Sequence, residues 1–170
     1  MAIIKSQSVM RKTIEVRVEK TRLANTTAYT DEDVISEHAS TGTAWTFDAV
    51  VPEVGAGGRI VKAVVAHDDT GKVPVLTMYL TNVTPLGVLN DNLANDNPVY
   101  ATEVDNYQGR IDWAACEDLG GMSEAVVNTD LHFVTAAGDD ALYGVLVIRS
   151  AAHTPTSAGK ISVTLTIEPD

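Results

Sequence analysis

The sequence is poor in cysteine, in aromatic residues and in basic residues. It has one cysteine, 5% aromatic residues, and 12 lysines and arginines against 23 aspartates and glutamates. A lone Cys116 excludes a disulfide framework and a thiolate metal site. No Lys or Arg beside it would activate the thiol, so we expect a small buried side chain. The net charge of −11 argues against a nucleic-acid partner, because binding to phosphates requires clustered basic residues.

Long apolar runs are also missing. No run approaches the ~18 residues that a membrane helix requires, and the first residues lack the ~7 to 15-residue apolar core of a secretory signal. We therefore expect no membrane partner and an acidic, soluble protein that is assembled inside the cell. The length of 170 residues is enough for one sizeable core, and no Pro-, Ser- or Gly-rich linker divides it.

Residue patterns typical of catalysis and of metal binding are absent as well. The four histidines lack metal-ligand spacing, and we expect each to be a surface or hydrogen-bonded residue: His38, His67, His132 and His153. No nucleophile elbow or Walker loop occurs, and the glycines at residues 55–58 indicate a turn. Residues 90–97 offer oxygen ligands but do not match a calcium-binding loop. The sequence therefore predicts no enzyme activity, no catalytic residue, no metal site and no cofactor.

Charge is unevenly distributed along the chain. Residues 1–22 carry six basic and two acidic residues, a net charge of +4, whereas the remaining 148 residues carry −15. Residues 1–12 show no periodicity, and we interpret them as a flexible basic N-terminal arm that serves for interaction. Two interpretations of Arg17 and Lys20 stay open. They belong to the interaction segment, or they occupy the solvent face of a first strand.

Alternation of apolar and polar residues dominates the rest of the chain. It predicts half-buried strands at residues 14–18, 45–51 and 161–167. Runs that are apolar on both faces predict central, covered strands at residues 59–67, 74–82 and 141–149. Shorter candidates lie at residues 33–36, 109–114 and 131–135. Helix is expected only as a turn or two within residues 118–128.

Short strands separated by turn residues, with hardly any helix, are typical of a β-sandwich or jelly roll. We predict an all-β fold, a single β-sandwich or jelly-roll-like domain of about eight antiparallel strands over residues 13–170. Residues 67–72 predict a hairpin between two apolar runs. The predicted core comprises Ile14, Val16, Val18, Trp45, Phe47, Ile60, Val65, Leu76, Leu80, Leu146, Ile148, Val163, Leu165 and Ile167.

Residues 84–106 form a long segment with few strand signals. They are rich in the turn formers Asn, Asp and Pro. A connection of this length within a compact domain is usually functional. We expect it to contact a neighbouring subunit, and ion binding at residues 90–97 is the open alternative.

Several segments occur in an order that resembles small structural proteins of tailed bacteriophages. The first spans residues 21–35, where Thr27-Ala28-Tyr29 is followed by Asp33-Val34. The next segments are Trp45-Thr46-Phe47, the Gly-rich turn at 55–58, apolar strands at 60–66 and 76–81, an Asp/Asn-rich loop at 95–98, and a Gly-containing strand at 107–111. The resemblance covers roughly residues 21–113 and consists of turns and aromatic residues.

The resemblance implies a virion protein, namely a head decoration or cement protein with a jelly-roll-like body. It implies that the chain binds the major capsid protein, stabilises the head shell and forms a homo-oligomer, with a trimer favoured. The implied location is the capsid surface of a virion assembled in the bacterial host cytoplasm. The basic arm then supplies the candidate capsid-binding residues Lys5, Arg11 and Lys12. No catalytic residues come with this family.

Two other functions compete with this one. The main alternative is a β-sandwich module of a phage tail that binds carbohydrate or a receptor. Such a module usually presents an aromatic platform, whereas Trp45 and Trp113 lie in strand-like contexts that favour core positions. An enzyme of the cupin type is disfavoured because a His/His/Glu constellation is missing. The acidic turn at residues 30–33 and the insertion at 87–92 differ from the family pattern and leave open a head or a tail position.

Overall fold

The computed structural model of the chain describes residues 12–69, 71–150 and 153–170. Nine strands and one short helix occur in these ranges. Residues 1–11 of the predicted arm lie outside the described residues, Lys5 and Arg11 among them, and Lys12 is exposed. No helix in the described ranges has the length and apolar composition that crossing a membrane requires.

The strands form two antiparallel sheets. They are β1 (Ile14–Thr21), β2 (Trp45–Phe47), β3 (Gly57–His67), β4 (Leu76–Thr81), β5 (Tyr107–Asp112), β6 (Glu117–Asp118), β7 (Ser123–Val134), β8 (Leu142–Ile148) and β9 (Lys160–Pro169), and helix α1 (Tyr100–Glu103) lies between β4 and β5. One sheet has the order β1-β9-β3-β7-β6, and the other has the order β2-β8-β4-β5. Without the two-residue β6, each sheet has four strands in the order of a jelly roll. The predicted all-β sandwich is confirmed.

The core lies between the two sheets, as the alternation along the strands predicts. β1 pairs with β9 along its whole length, from Ile14 opposite Ile167 to Thr21 opposite Lys160. Every predicted core residue is buried except the three in β1. Those three are half-buried because β1 is the edge strand of its sheet and has a neighbour on one side only.

The predicted helix within residues 118–128 is wrong. Residues 117–118 form β6, and residues 123–128 form the first half of β7. The glycines at 120 and 121 lie in the turn between them, where Leu119 N donates to Met122 O at 2.8 Å. The apolar residues that follow alternate as a strand because β3 pairs with them across the sheet.

Three predictions about local strand structure also fail. Residues 67–72 do not form a hairpin, because β3 and β4 belong to different sheets and the segment crosses from one to the other. The strand predicted at residues 45–51 ends at Phe47, since Ala49 adopts a left-handed conformation with φ of 55°. Residues 33–36 form no strand, and only Asp33 and Val34 form isolated bridges.

The chain itself covers the outer face of the four-stranded sheet. Val34 packs against Val145 and Val147 of β8 in a small second apolar cluster, which is completed by Tyr79, Val88 and Leu89. Backbone hydrogen bonds hold this layer in place, from Ile35 N to Leu146 O at 2.8 Å and from Val34 N to Leu93 O at 2.9 Å. β4 and β8 are therefore covered on both faces, as predicted.

Candidate interaction surface

The loop at residues 84–106 uses its polar side chains internally. Asn97 is buried and donates a hydrogen bond to Val88 O at 2.6 Å. Glu103 is fully buried and accepts one from Val99 N at 2.6 Å. These side chains therefore hold the loop in its own conformation. Within the described ranges, no group of three or more His, Cys, Asp or Glu residues is arranged to hold a metal ion.

Asp91 of this loop belongs to a buried polar cluster with Arg22 and Tyr29. Arg22 Nε donates to the Tyr29 hydroxyl oxygen at 2.6 Å, and that hydroxyl donates to Asp91 Oδ1 at 2.6 Å. The three residues are each at most 6% exposed. Burial raises the pKa of Tyr29, so the hydroxyl remains protonated as the donor to Asp91. The cluster connects the chain that follows β1 to the loop that covers the four-stranded sheet.

A second polar group brings together His67 and His153, which the sequence predicts to be unrelated. His67 Nδ1 lies 3.6 Å and His153 Nε2 lies 3.8 Å from Asp69 Oδ2. Burial alone would raise the pKa of Asp69, but the two nearby imidazoles and a hydrogen bond from Thr156 N hold it below its ordinary value. The imidazole centroids are 6.4 Å apart, too far for both rings to ligate one ion at about 2.0–2.1 Å in tetrahedral geometry. The local sequence signal for this group is the His67-Asp68-Asp69 turn.

Both tryptophans lie in the core. Trp45 and Trp113 are 1% and 2% exposed. Their indole nitrogens donate to Ile35 O at 3.4 Å and to Ala63 O at 3.2 Å. Neither ring is available as a platform for a carbohydrate.

The outer face of the five-stranded sheet is a broad surface that no other described segment covers. A row across it runs from Arg17 of β1 through Thr164 and Val64 to Val126 of β7. Val126 is 55% exposed. Charged residues lie around this row: Glu15, Glu19, Arg59, Lys62, Glu124, Asp130 and Glu168. A neutral centre with a charged rim is typical of surfaces that bind another protein.

One side of this sheet also has an open edge. We call residues 125–133, on the side of β7 away from β3, the β7 edge. There β6 pairs only with Ser123 and Glu124, and within the described ranges no strand continues the pairing. At the far end, Val134 N donates to Gln108 Oε1 at 2.9 Å. A cleft of about 220 Å³ opens where β6 ends, lined by the acidic Glu117 and Glu124 and the apolar Ala114, Ala115, Leu119, Ala125 and Val126.

Acidic side chains flank the β7 edge. Glu117 and Glu124 lie directly opposite each other across β6 and β7, and neither forms an ion pair within the described ranges. Like charges in directly opposed positions destabilise a sheet. Asp130 is also on this strand, with its side chain 72% exposed and 3.0 Å from Arg59. The edge is therefore complementary to a basic segment.

Comparison with known proteins gives only remote similarity. No family model and no curated protein matches the sequence. Similar structures include a chain of the Israeli acute paralysis virus full particle heated to 63 degrees (TM-score 0.33, 14% identity, 94% of this chain and 72% of that chain). A second is a chain of the native Kashmir bee virus virion at acidic pH (TM-score 0.33, 11% identity, 94% of this chain and 71% of that chain). A third is the Podospora anserina GH26-CBM35 β-(1,4)-mannanase (TM-score 0.33, 10% identity, 94% of this chain and 28% of that chain). At these scores the similarity carries no argument about function.

Proposed function

We propose that this chain is a non-enzymatic structural protein of a tailed-bacteriophage virion. It is a capsid decoration or cement protein, which binds the major capsid protein and stabilises the head shell. The observation that carries the proposal is the uncovered outer face of the five-stranded sheet. The chain covers its other sheet with its own loop, so this face is the broad surface left for a partner.

Charge gives the basic arm a role in the same contact. The body of the chain, residues 13–170, carries −14 and would be repelled by an acidic shell. Lys5, Arg11 and Lys12 of the arm supply positive charge that offsets this repulsion. Exposed ion pairs contribute only about 0.2–1 kcal/mol each and weaken in salt. A homo-oligomer, with a trimer favoured, multiplies such weak contacts through avidity.

The tail-module alternative finds less support. A carbohydrate-binding β-sandwich usually offers exposed aromatic rings, and both tryptophans here are buried. The phenylalanines, Phe47 and Phe133, are buried as well. Recognition of a sugar would have to use other residues.

Binding to undecorated capsids tests the proposal. Thr164→Arg places a bulky charge in the centre of the uncovered face, and we expect the apparent dissociation constant to rise by about tenfold or more. Thr102→Arg is the matched control, because Thr102 is exposed on α1, outside that face. Co-sedimentation with capsids at several salt concentrations measures both. The proposal is wrong if the unmodified chain does not bind capsids, and the face is misassigned if both variants bind as it does.

The copy number in virions separates head from tail. Quantitative mass spectrometry of purified particles should find the chain at a stoichiometry near that of the shell protein. A handful of copies would instead favour the tail module.

A further inference from the structure

The β7 edge lacks a strand partner, and its chemistry indicates what partner would fit. Between residues 125 and 133, the backbone N–H and C=O groups that do not pair with β3 point away from it and have no strand partner within the described ranges. Exposed edges of this kind accept an added strand, which gains main-chain hydrogen bonds and selects side chains in alternation. The acidic flank, and the cleft with its two glutamates and its apolar residues, fit a strand that is basic and partly apolar.

Residues 1–12 of the chain have that composition. They contain three basic residues, no acidic residue and several apolar side chains. We infer that residues 2–10 of a second copy pair antiparallel with the β7 edge. On the outer face, the register places Lys5 opposite Asp130 and Val9 opposite Val126. The added strand then ends where β6 begins to pair, which brings Arg11 beside Glu124.

The same register also places apolar residues of the arm opposite apolar residues on the inner face of β7. Because side chains alternate along a strand, Ile4 would lie opposite Leu131, which already packs partly against the core. Met10 would lie opposite Ala125 beside the cleft. Arg11 would reach the end of β6, where Glu117 and Glu124 face each other without a cation.

The donor of the strand must be another copy. Ile14 lies at the end of the sheet where Ile60 pairs with Leu131, whereas Arg11 in this register lies at the opposite end, beside Glu124. Seven residues of β7 and four strand spacings, the last from β7 to the arm itself, separate the two points by about 30 Å. Residues 11 to 14 span at most about 11 Å. The arm of the same chain therefore cannot adopt this register.

The resulting contact joins unlike surfaces, an arm on one copy and an edge on the next. Contacts of this kind close into rings when the rotation between copies permits. The expected homo-oligomer thus acquires a specific interface, whether or not a capsid shell is what the oligomer binds.

Engineered cysteines test the register in the full-length chain. In the variant Val9→Cys with Val126→Cys, we expect disulfide-linked dimers and higher oligomers on mild oxidation. Val9→Cys with Val64→Cys is the control, because Val64 lies opposite Val126 one strand further in. Its Cα would be about 10 Å from that of residue 9, beyond the reach of a disulfide. The native thiol does not interfere, since burial raises the pKa of Cys116 to about 11.

Charge reversal tests the same pairing without cross-linking. Arg11→Glu and Glu124→Lys should each weaken self-association several-fold in sedimentation experiments. The double variant should return it to within about twofold of the unmodified chain. Removing residues 1–12 should yield monomers that still unfold cooperatively, at a temperature lower than that of the full chain only by what self-association contributes.

Three results would overturn the interface. They are a monomeric full chain at tens of micromolar, an oligomer that survives removal of residues 1–12, or equal cross-linking at Val64 and Val126. Capsid binding is measured separately. Monomers without the arm that still bind capsids weakly would leave the proposed function intact, whereas oligomers that bind no capsid would refute the function and keep the interface.

Discussion

Removing the hydroxyl group of Tyr29 tests whether the buried cluster stabilises the fold. Tyr29→Phe keeps the aromatic ring, which is 1% exposed, so the packing is retained. It removes the hydrogen bond accepted from Arg22 and the one donated to Asp91, both at 2.6 Å. Two buried charged groups then lose their shared partner.

The expected cost follows from those two bonds. A hydrogen bond to a charged group contributes about 1.5–3 kcal/mol. Asp91 keeps its bond from Ser36 N at 2.9 Å, so we take the lower end of the range, about 3 kcal/mol in total. For a domain of this size, the melting temperature should fall by about 6–12 °C.

Denaturant and thermal unfolding of the purified chain measure this cost. Tyr143→Phe is the matched control, because its hydroxyl donates to Asp139 at 2.8 Å on the half-buried outer side of β8. Its loss should cost less than about 1 kcal/mol. If Tyr29→Phe is no more destabilising than Tyr143→Phe, with equal denaturant slopes, the cluster does not have the stabilising role assigned to it.

Two further predictions concern the core and the response to acid. Val163→Asp puts an unpaired charge at a fully buried site and should abolish cooperative unfolding, whereas Val54→Asp, at a site 62% exposed, should change the free energy of unfolding by less than about 0.5 kcal/mol. Burial alone would raise the pKa of Glu37, but hydrogen bonds, chiefly the one from Lys20, lower this pKa from 4.5 to about 2. A lowered pKa stabilises the fold above the unfolded value, and that stability is lost as the pH falls. Between about pH 5 and pH 2, the unmodified chain should therefore lose about 1–2 kcal/mol more than Glu37→Gln in urea unfolding.

Equal effects of the two valine substitutions would contradict the burial of β9. An identical loss of stability on acidification in both chains would contradict a role for Glu37, which lies 2.6 Å from Lys20 Nζ. The Lys20 side chain is only 9% exposed, so the pair is better shielded from salt than a surface pair.

The sequence predicts the strands well where one face is buried and the other is solvated. β9 alternates over its whole length because Leu165 and its apolar neighbours face the core while Thr164 and Thr166 face outward. β4 and β8 have apolar residues on both faces because a loop covers the outer one. This apolar pattern is visible in the sequence, so both strands are predicted correctly. β3 has the same apolar character, but its outer face is uncovered, so composition alone overestimates its burial.

The remaining features depend on contacts between distant residues. Nothing near residues 67–72 distinguishes a hairpin from a crossover between sheets, since both need the same turn residues. The loop at residues 84–106 reads as an exposed segment, yet Asp91 and Glu103 are buried because each binds backbone or side-chain groups elsewhere in the chain. His67 and His153 lie close together because the last residue of β3 is beside the start of β9, and His153 is in the segment that leads into β9.

The acidic residues of the β7 edge also explain why a basic strand would pair there in preference to a second β7. Open edges can pair with copies of themselves. An antiparallel β7–β7 contact centred on Asp130 would bring Val126 opposite Val134, both more than half exposed, which is favourable. The same contact would set Asp130 against its own copy, and like charges directly opposed are destabilising. Charge reversal makes the distinction measurable: Asp130→Lys should weaken pairing with the basic arm, whereas Asp130→Asn should relieve the repulsion between two β7 strands. If Asp130→Asn forms larger assemblies that persist without residues 1–12, the native carboxylate selects the arm by excluding the edge of another copy.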